Sequence, residues 1–141
     1  MSVARPDIRL DNTTVVTMVI KNNSIIVEGV GVIVDTDQAD VAVANSNSFG
    51  VAMASEGMVD GSITGDGVKT VQVALLGGVV KVKCSGTATK GLWAIAGTDG
   101  FENQTPGGGS TAKYLAGKFT QSGVDGEFVG LLLHPSTTGT A

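Results

Sequence analysis

Few residues in this sequence can perform acid–base or nucleophilic chemistry. It contains one histidine, His134, one cysteine, Cys84, and one tyrosine, Tyr114. A catalytic triad or a Cys–His pair needs a histidine held rigidly beside its nucleophile, whereas His134 directly precedes Pro135 near the end of the chain. We therefore expect no enzymatic site, a solvated His134 and a Cys84 that fills the core.

Three aspartates have the spacing that opens a calcium-binding loop. Asp35, Asp37 and Asp40 resemble the acidic start of such a loop, but the loop needs glycine at the sixth position and glutamate at the twelfth. This sequence has Asp40 and Ser46 there. We interpret the segment as an acidic turn in solvent and expect no metal, no cofactor and no small-molecule substrate.

The single tryptophan is the most informative aromatic residue. Trp93 lies in the apolar run Leu92-Trp93-Ala94-Ile95, and aromatics make up only 4% of the chain. An isolated ring on a strand can stack on a sugar, but it more often packs in a core or a subunit interface. We favour an interface between subunits for Trp93.

The charge and cysteine content exclude several classes of partner. The formal net charge is −4 and the arginines are Arg5 and Arg9, so the clustered cations that bind nucleic acid are missing. One cysteine excludes an internal disulfide and fits a reducing compartment. Arg5, Asp7, Arg9 and Asp11 interrupt any apolar stretch that a signal peptide would need, and no apolar run approaches the length of a membrane span. We expect a chain made in the cytoplasm, with no nucleic-acid or membrane partner.

The composition predicts an all-β fold. Apolar residues reach 42%, and Val, Ile and Thr, which fit a pleated sheet, are abundant. The 21 glycines are scattered between apolar runs, and their positions indicate turns. We expect a single small domain at 13–134, an extended N-terminal arm at 1–12 and a flexible C-terminal tail at 135–141.

Two hairpins are predicted from the turn chemistry. Residues 13–20 and 25–34 are β-branched runs joined by a four-residue loop, with Gly29 and Gly31 marking a bulge or a close backbone contact. Residues 71–76 and 79–84 flank Gly77-Gly78, which can supply the positive φ angles of a two-residue turn. In that register Val73 faces Val82. The remaining expected elements are strands at 40–44, 49–54, 91–96, 113–120 and 126–133, with a long loop at 98–110.

Part of the chain resembles a known family. The stretches that carry the resemblance are Ser48-Phe49-Gly50-Val51-Ala52, Gly65-Asp66-Gly67, Val71-Gln72-Val73-Ala74-Leu75, Gly78-Val79-Val80-Lys81-Val82, Ala116-Gly117-Lys118-Phe119 and the run from Asp125 to Leu133. Together they resemble the small capsid decoration proteins of tailed bacteriophages, also called cement or head-stabilising proteins. The resemblance covers roughly residues 40–133.

The resemblance implies a β-barrel or β-tulip-like domain that forms a homotrimer. Such trimers bind the major capsid protein at three-fold or quasi-three-fold positions on the outer surface of the virion, and they stabilise the expanded head against the pressure of its DNA. An N-terminal arm can add a strand to a neighbouring sheet edge. The candidate capsid-binding residues are Arg5, Asp7, Ile8, Arg9 and Leu10, and the candidate trimer-interface residues are Trp93 and Phe119.

Two other classes of function remain open at this point. A receptor- or carbohydrate-binding module of a phage tail or fibre would also be β-rich, but it should expose several aromatic rings, and here only Trp93 and Tyr114 can serve. A small hydrolase or metal enzyme is the third class, and the lack of His, Cys and acidic constellations counts against it.

Overall fold

The structure, a computed structural model, describes residues 14–43, 49–75, 77–104 and 113–138. Within these ranges the chain consists of β-strands and connecting turns, so the all-β prediction is confirmed. In chain order the strands are β1 (Val15–Val19), β2 (Ile25–Val27), β3 (Gly31–Asp35), β4 (Gln38–Val41), β5 (Gly50–Ala52), β6 (Ser62–Thr64), β7 (Thr70–Ala74), β8 (Val79–Lys83), β9 (Trp93–Gly97), β10 (Gly100–Asn103), β11 (Lys113–Phe119) and β12 (Phe128–Thr138).

The strands form two five-stranded sheets and a two-stranded ribbon, and all pairings within them are antiparallel. Sheet 1 has the order β1-β7-β5-β3-β4, and sheet 2 has the order β10-β9-β11-β12-β8. The ribbon pairs β2 with β6. Among the described residues both large sheets are open, so a closed barrel is not formed. Both sheets nevertheless curl. A bridge between Ile20 and Ala39 brings the end of β1 against β4, and a bridge between Cys84 and Phe101 brings the end of β8 against β10.

Sheet 1 is the middle of three layers. Successive side chains of a strand point to opposite faces, and the two faces of β5 contact different cores. Val51 packs in the main core with sheet 2, whereas Ala52 packs in a second core with Ile26 and Ile63 of the ribbon. Burial on both faces explains why Gly50, Val51 and Ala52 are all buried.

The main core is built from small and β-branched side chains with two buried phenylalanines, Phe101 and Phe119. Cys84 is fully buried in it, as expected. Burial raises the pKa of the Cys84 thiol, and the nearby charges of Glu127 and Asp125 raise it further. The cysteine is therefore a packing residue that stays protonated.

The hairpin predicted at Gly77-Gly78 is wrong. Both glycines have positive φ, 86° and 71°, as the turn chemistry required. However, β7 pairs with β1 and β5 in sheet 1, while β8 pairs with β12 in sheet 2. Val73 faces the ribbon core and Val82 faces the main core. The glycines pass the chain from one sheet to the other, because each valine strand buries its apolar side in a different layer.

The hairpin predicted from the runs 13–20 and 25–34 is also wrong. β1 pairs with β7, and the second run is divided by a turn at Gly29, with φ 82°, into β2 of the ribbon and β3 of sheet 1. A methyl group on Gly29 would lie 2.9 Å from the backbone nitrogen of Lys83. The close backbone contact that the glycines indicated is present, and it is where the run divides.

Several boundaries differ from those expected. A two-residue turn at Thr36-Asp37 joins β3 to β4, and both residues have positive φ. The segment expected as a loop at 98–110 begins with a second tight turn followed by β10, while 105–112 lie outside the described residues. β12 continues to Thr138, four residues past the expected end of the domain, and 139–141 lie outside the described residues.

Candidate functional site

The five candidate capsid-binding residues lie outside the described part of the chain, which begins at Thr14. They are Arg5, Asp7, Ile8, Arg9 and Leu10. The described residues that could form a site belong to three places. These are the solvent-facing side of sheet 2, the acidic turn between β3 and β4, and a groove along β8.

A row of side chains crosses the solvent-facing side of sheet 2. Trp93, Lys118, Leu132 and Val79 are direct cross-strand neighbours on β9, β11, β12 and β8. Leu132 is 42% exposed and Val79 is 39% exposed. The residues that follow Trp93, Leu132 and Val79 are buried and belong to the main core, so this row points outward. It forms an apolar strip on the surface.

Trp93 is held in place by two neighbouring side chains. The ring of His134 stacks on it, with 6.1 Å between ring centroids and 25° between planes. Lys118 Nζ lies 5.1 Å from the centroid of the Trp93 ring, which is a cation–π distance. His134 is thus exposed but stacked, rather than free in a tail. We call Trp93, Lys118, Leu132, Val79 and His134 the Trp93 face.

The Trp93 face has the character of a contact surface. Its apolar strip is bordered by a cation and an imidazole, which resembles the apolar centre and polar rim of a protein interface. Two side chains already lie against the indole ring, so less of it is open for stacking on a sugar. The other candidate ring, Tyr114, is 39% exposed on β11.

Phe119 does not share this surface. It is 2% exposed and packs in the main core, on the opposite side of β11 from its neighbour Lys118. A side chain that its own chain covers completely has no area to offer to a second copy. The structure therefore assigns Phe119 to the protomer core instead of a trimer interface, and Trp93 alone of the two hypothesised residues lies at the surface.

The carboxylates of the acidic turn form salt bridges with a lysine of the same chain, Lys21. Lys21 Nζ lies 2.6 Å from Asp35 Oδ2 and 3.6 Å from Asp40 Oδ2, and the Ser24 hydroxyl donates to Asp40 Oδ1 at 2.6 Å. The hydrogen bond and charge of Lys21 lower the pKa of Asp35, and Asp35 and Asp40 raise that of Lys21. Asp37 is exposed in the turn. No cluster of three His, Cys, Asp or Glu side chains that can hold a metal occurs among the described residues.

A groove of about 620 Å³ runs along β8, between the edges of the two sheets. Sequence reasoning missed it, because its walls come from strands far apart in the chain. The residues that line it are Val15, Glu28, Gly29, Val51, Ala52, Met53, Ala54, Val79, Val80, Lys81 and Phe128. The lining is mostly apolar, with one acidic and one basic side chain. In the described ranges the structure has no helix with the length and apolar character needed to cross a membrane.

The fold and these surfaces define a layered antiparallel β domain with an apolar strip on the outer side of sheet 2. No protein-family model matches the chain, and no curated protein matches it. Among solved structures, the chain is similar to the head fiber gp8.5 N base in bacteriophage phi29, with a TM-score of 0.59 and 17% sequence identity. The similarity covers 86% of this chain and 95% of that chain. At this identity the likeness establishes a shared fold.

Proposed function

We propose that this chain is a structural protein of a phage head, specifically a capsid decoration protein that binds the outer surface of the expanded shell. The observation that carries the proposal is the fold shared with the head fiber base of bacteriophage phi29 over 86% of the chain. The motifs around Gly50-Val51-Ala52 and Gly65-Asp66-Gly67, which resemble those of decoration proteins, support it independently. Its partner is the major capsid protein.

The Trp93 face is the proposed interface between three copies. A half-buried tryptophan with an exposed leucine and an exposed valine in one cross-strand row provides the apolar area that an association needs. A trimer on a three-fold position contacts the shell at three equivalent places. Three weak contacts then act together, because the second and third bind at a high effective concentration.

The N-terminal arm is the proposed contact with the shell. In the sequence, Ile8 and Leu10 alternate with Asp7, Arg9 and Asp11, a pattern typical of an extended strand with one apolar side. Strand addition to an edge of a shell protein gives main-chain hydrogen bonds without requiring side-chain chemistry. This role involves no catalysis, cofactor, nucleic acid, membrane or small-molecule ligand.

Binding to expanded, undecorated heads tests the proposal. We expect the full chain to saturate the binding sites on the heads. Deletion of residues 2–12 should lower the occupancy of these sites sharply. Trp93→Ala should reduce the occupancy and also the trimer mass measured by light scattering. Val59→Ser, at a 72% exposed valine outside the Trp93 face, is the matched control and should bind normally. Failure of the full chain to bind would contradict the proposed function, whereas undiminished binding of the deletion would contradict only the arm.

A further inference from the structure

A closed ring of three copies needs two different contact surfaces on each copy. In a two-fold dimer a patch binds its own equivalent, whereas in a ring of three each copy presents one surface to the preceding copy and another to the next. The Trp93 face supplies one of these surfaces. Its counterpart has to be a second surface that fits an apolar strip bordered by a cation.

The groove along β8 is an apolar surface that the described part of the chain leaves open. Three of the side chains that line it are large, apolar and exposed, namely Phe128 at 46%, Val15 at 42% and Val79 at 39%. Its volume of about 620 Å³ lies within the roughly 300–1,000 Å³ of pockets that enclose large organic groups. Contiguous exposed apolar surface of this kind marks sites of association.

The groove and the Trp93 face carry opposite charges that lack a partner in their own chain. Glu28 lines the groove, and within the described ranges its carboxylate forms no salt bridge. Lys81, the basic residue of the lining, donates a hydrogen bond from its Nζ to Gln121 at 2.7 Å. Lys118 lies over the Trp93 ring and, among the same residues, has no carboxylate partner. Each surface therefore offers the charge that the other one lacks.

The two surfaces meet along the β8 edge. Val79 belongs to the cross-strand row of the Trp93 face and also lines the groove. The Trp93 face lies on the outer side of sheet 2, and the groove lies beyond the β8 edge, between the two sheets. The surfaces are thus two sides of one wedge, which is the shape that each copy needs in order to fill a third of a ring.

We propose that the Trp93 face of one copy binds the β8 groove of the next copy, with Lys118 paired with Glu28 of that neighbour. This contact rests on the proposed trimer and names the surface that the Trp93 face binds. Trp93 and Leu132 cover the exposed apolar lining of the groove, and Val79 lies close to the three-fold axis. Complementary charges fix the register of an interface. Two Trp93 faces do not bind each other, because their Lys118 ammonium groups repel.

Carbodiimide cross-linking of the purified full chain tests the contact directly, because a carbodiimide joins a lysine amine to a carboxylate that lies against it. In trimers formed from isotope-labelled and unlabelled chains, we expect a cross-linked peptide in which Lys118 of one chain is joined to Glu28 of another. Lys118→Arg is the matched control. It keeps the charge, so the trimer mass in light scattering should remain while the cross-link is lost. A chain that stays monomeric, or trimers without this cross-link, would overturn the proposal.

Charge reversal separates a contact between copies from a structural role of either residue. Lys118→Glu and Glu28→Lys should each raise the concentration at which half of the chain is trimeric by at least about tenfold. The double variant exchanges the two charges and should restore the trimers. A double variant as weakly associated as the single variants would contradict the pair.

Val15→Ser tests the groove apart from the charge pair. It should lower the trimer mass, whereas Val59→Ser, the same change outside both surfaces, should not. If Val15→Ser leaves the trimers intact and lowers the occupancy of expanded heads, the groove binds the shell and the proposed contact is wrong. Cross-linked trimers that fail to bind heads would contradict the head-binding proposal alone and would support this contact.

Discussion

Replacing Phe119 by alanine tests whether this side chain belongs to the protomer core. Phe119 is 2% exposed and packs in the main core. A buried phenylalanine removes roughly 150–250 Å² from water, which at about 25 cal/mol/Å² corresponds to about 4–6 kcal/mol. Phe→Ala changes in cores cost about 3–5 kcal/mol. We therefore expect Phe119→Ala to lower the free energy of unfolding by about 3–5 kcal/mol and Tm by roughly 10–17 °C.

The matched change is Trp93→Ala, because Trp93 is the other residue hypothesised at the trimer interface. The contacts of Trp93 with His134 and Lys118 are at the surface. Trp93→Ala should therefore lower the free energy of unfolding of the protomer by about 1–2 kcal/mol. Urea unfolding followed by circular dichroism measures both variants, and light scattering measures their mass. If Phe119→Ala lowers the free energy of unfolding by less than about 1 kcal/mol and also reduces the trimer mass, the placement of Phe119 in the core is refuted.

Three further changes test the fold and its electrostatics. Gly50→Ala should destabilise the chain by more than about 1 kcal/mol, because its methyl group would collide with the Ala74 carbonyl and Val73; wild-type urea unfolding would contradict this. Thr36→Asn with Asp37→Gly should stabilise it by roughly 0.5–1 kcal/mol, since both residues have positive φ, and a lower Tm would count against that turn. The lowered pKa of Asp35 means that its ion pair with Lys21 stabilises the fold above pH 3.8, its ordinary pKa. The stabilisation is lost as pH falls through the lowered value, so Lys21→Met should flatten this acid limb in pH-dependent melting, and an unchanged limb would argue against the pair.

The sequence predicted which residues are buried better than it predicted which strands pair. The alternation around Val73 and around Val82 is correct, and Gly77-Gly78 has the expected positive φ. Alternation records that one side of a strand is apolar, but it contains no information about the layer that covers that side. In a three-layer fold two such strands can bury their valines in different cores, so the local signal favoured a hairpin that does not form.

The candidate surface was predicted in part for a similar reason. Trp93 lies outward, but grouping it with Phe119 used only the scarcity of aromatics. Lys118 precedes Phe119, and period-two alternation places the two on opposite sides of β11, so this local signal could have assigned Phe119 to the core. The groove beside β8 had no such signal, because Val15, Met53 and Val79 come together only when the sheets stack.

The most direct test of head binding is electron cryo-microscopy of expanded phage heads prepared with and without this chain. The proposal predicts added density on the outer surface at three-fold or quasi-three-fold positions, with the size and layered shape of three copies of the domain. The Trp93 faces should meet around the three-fold axis. Identical maps at saturating concentrations of the chain, or density confined to another part of the virion, would contradict the decoration role.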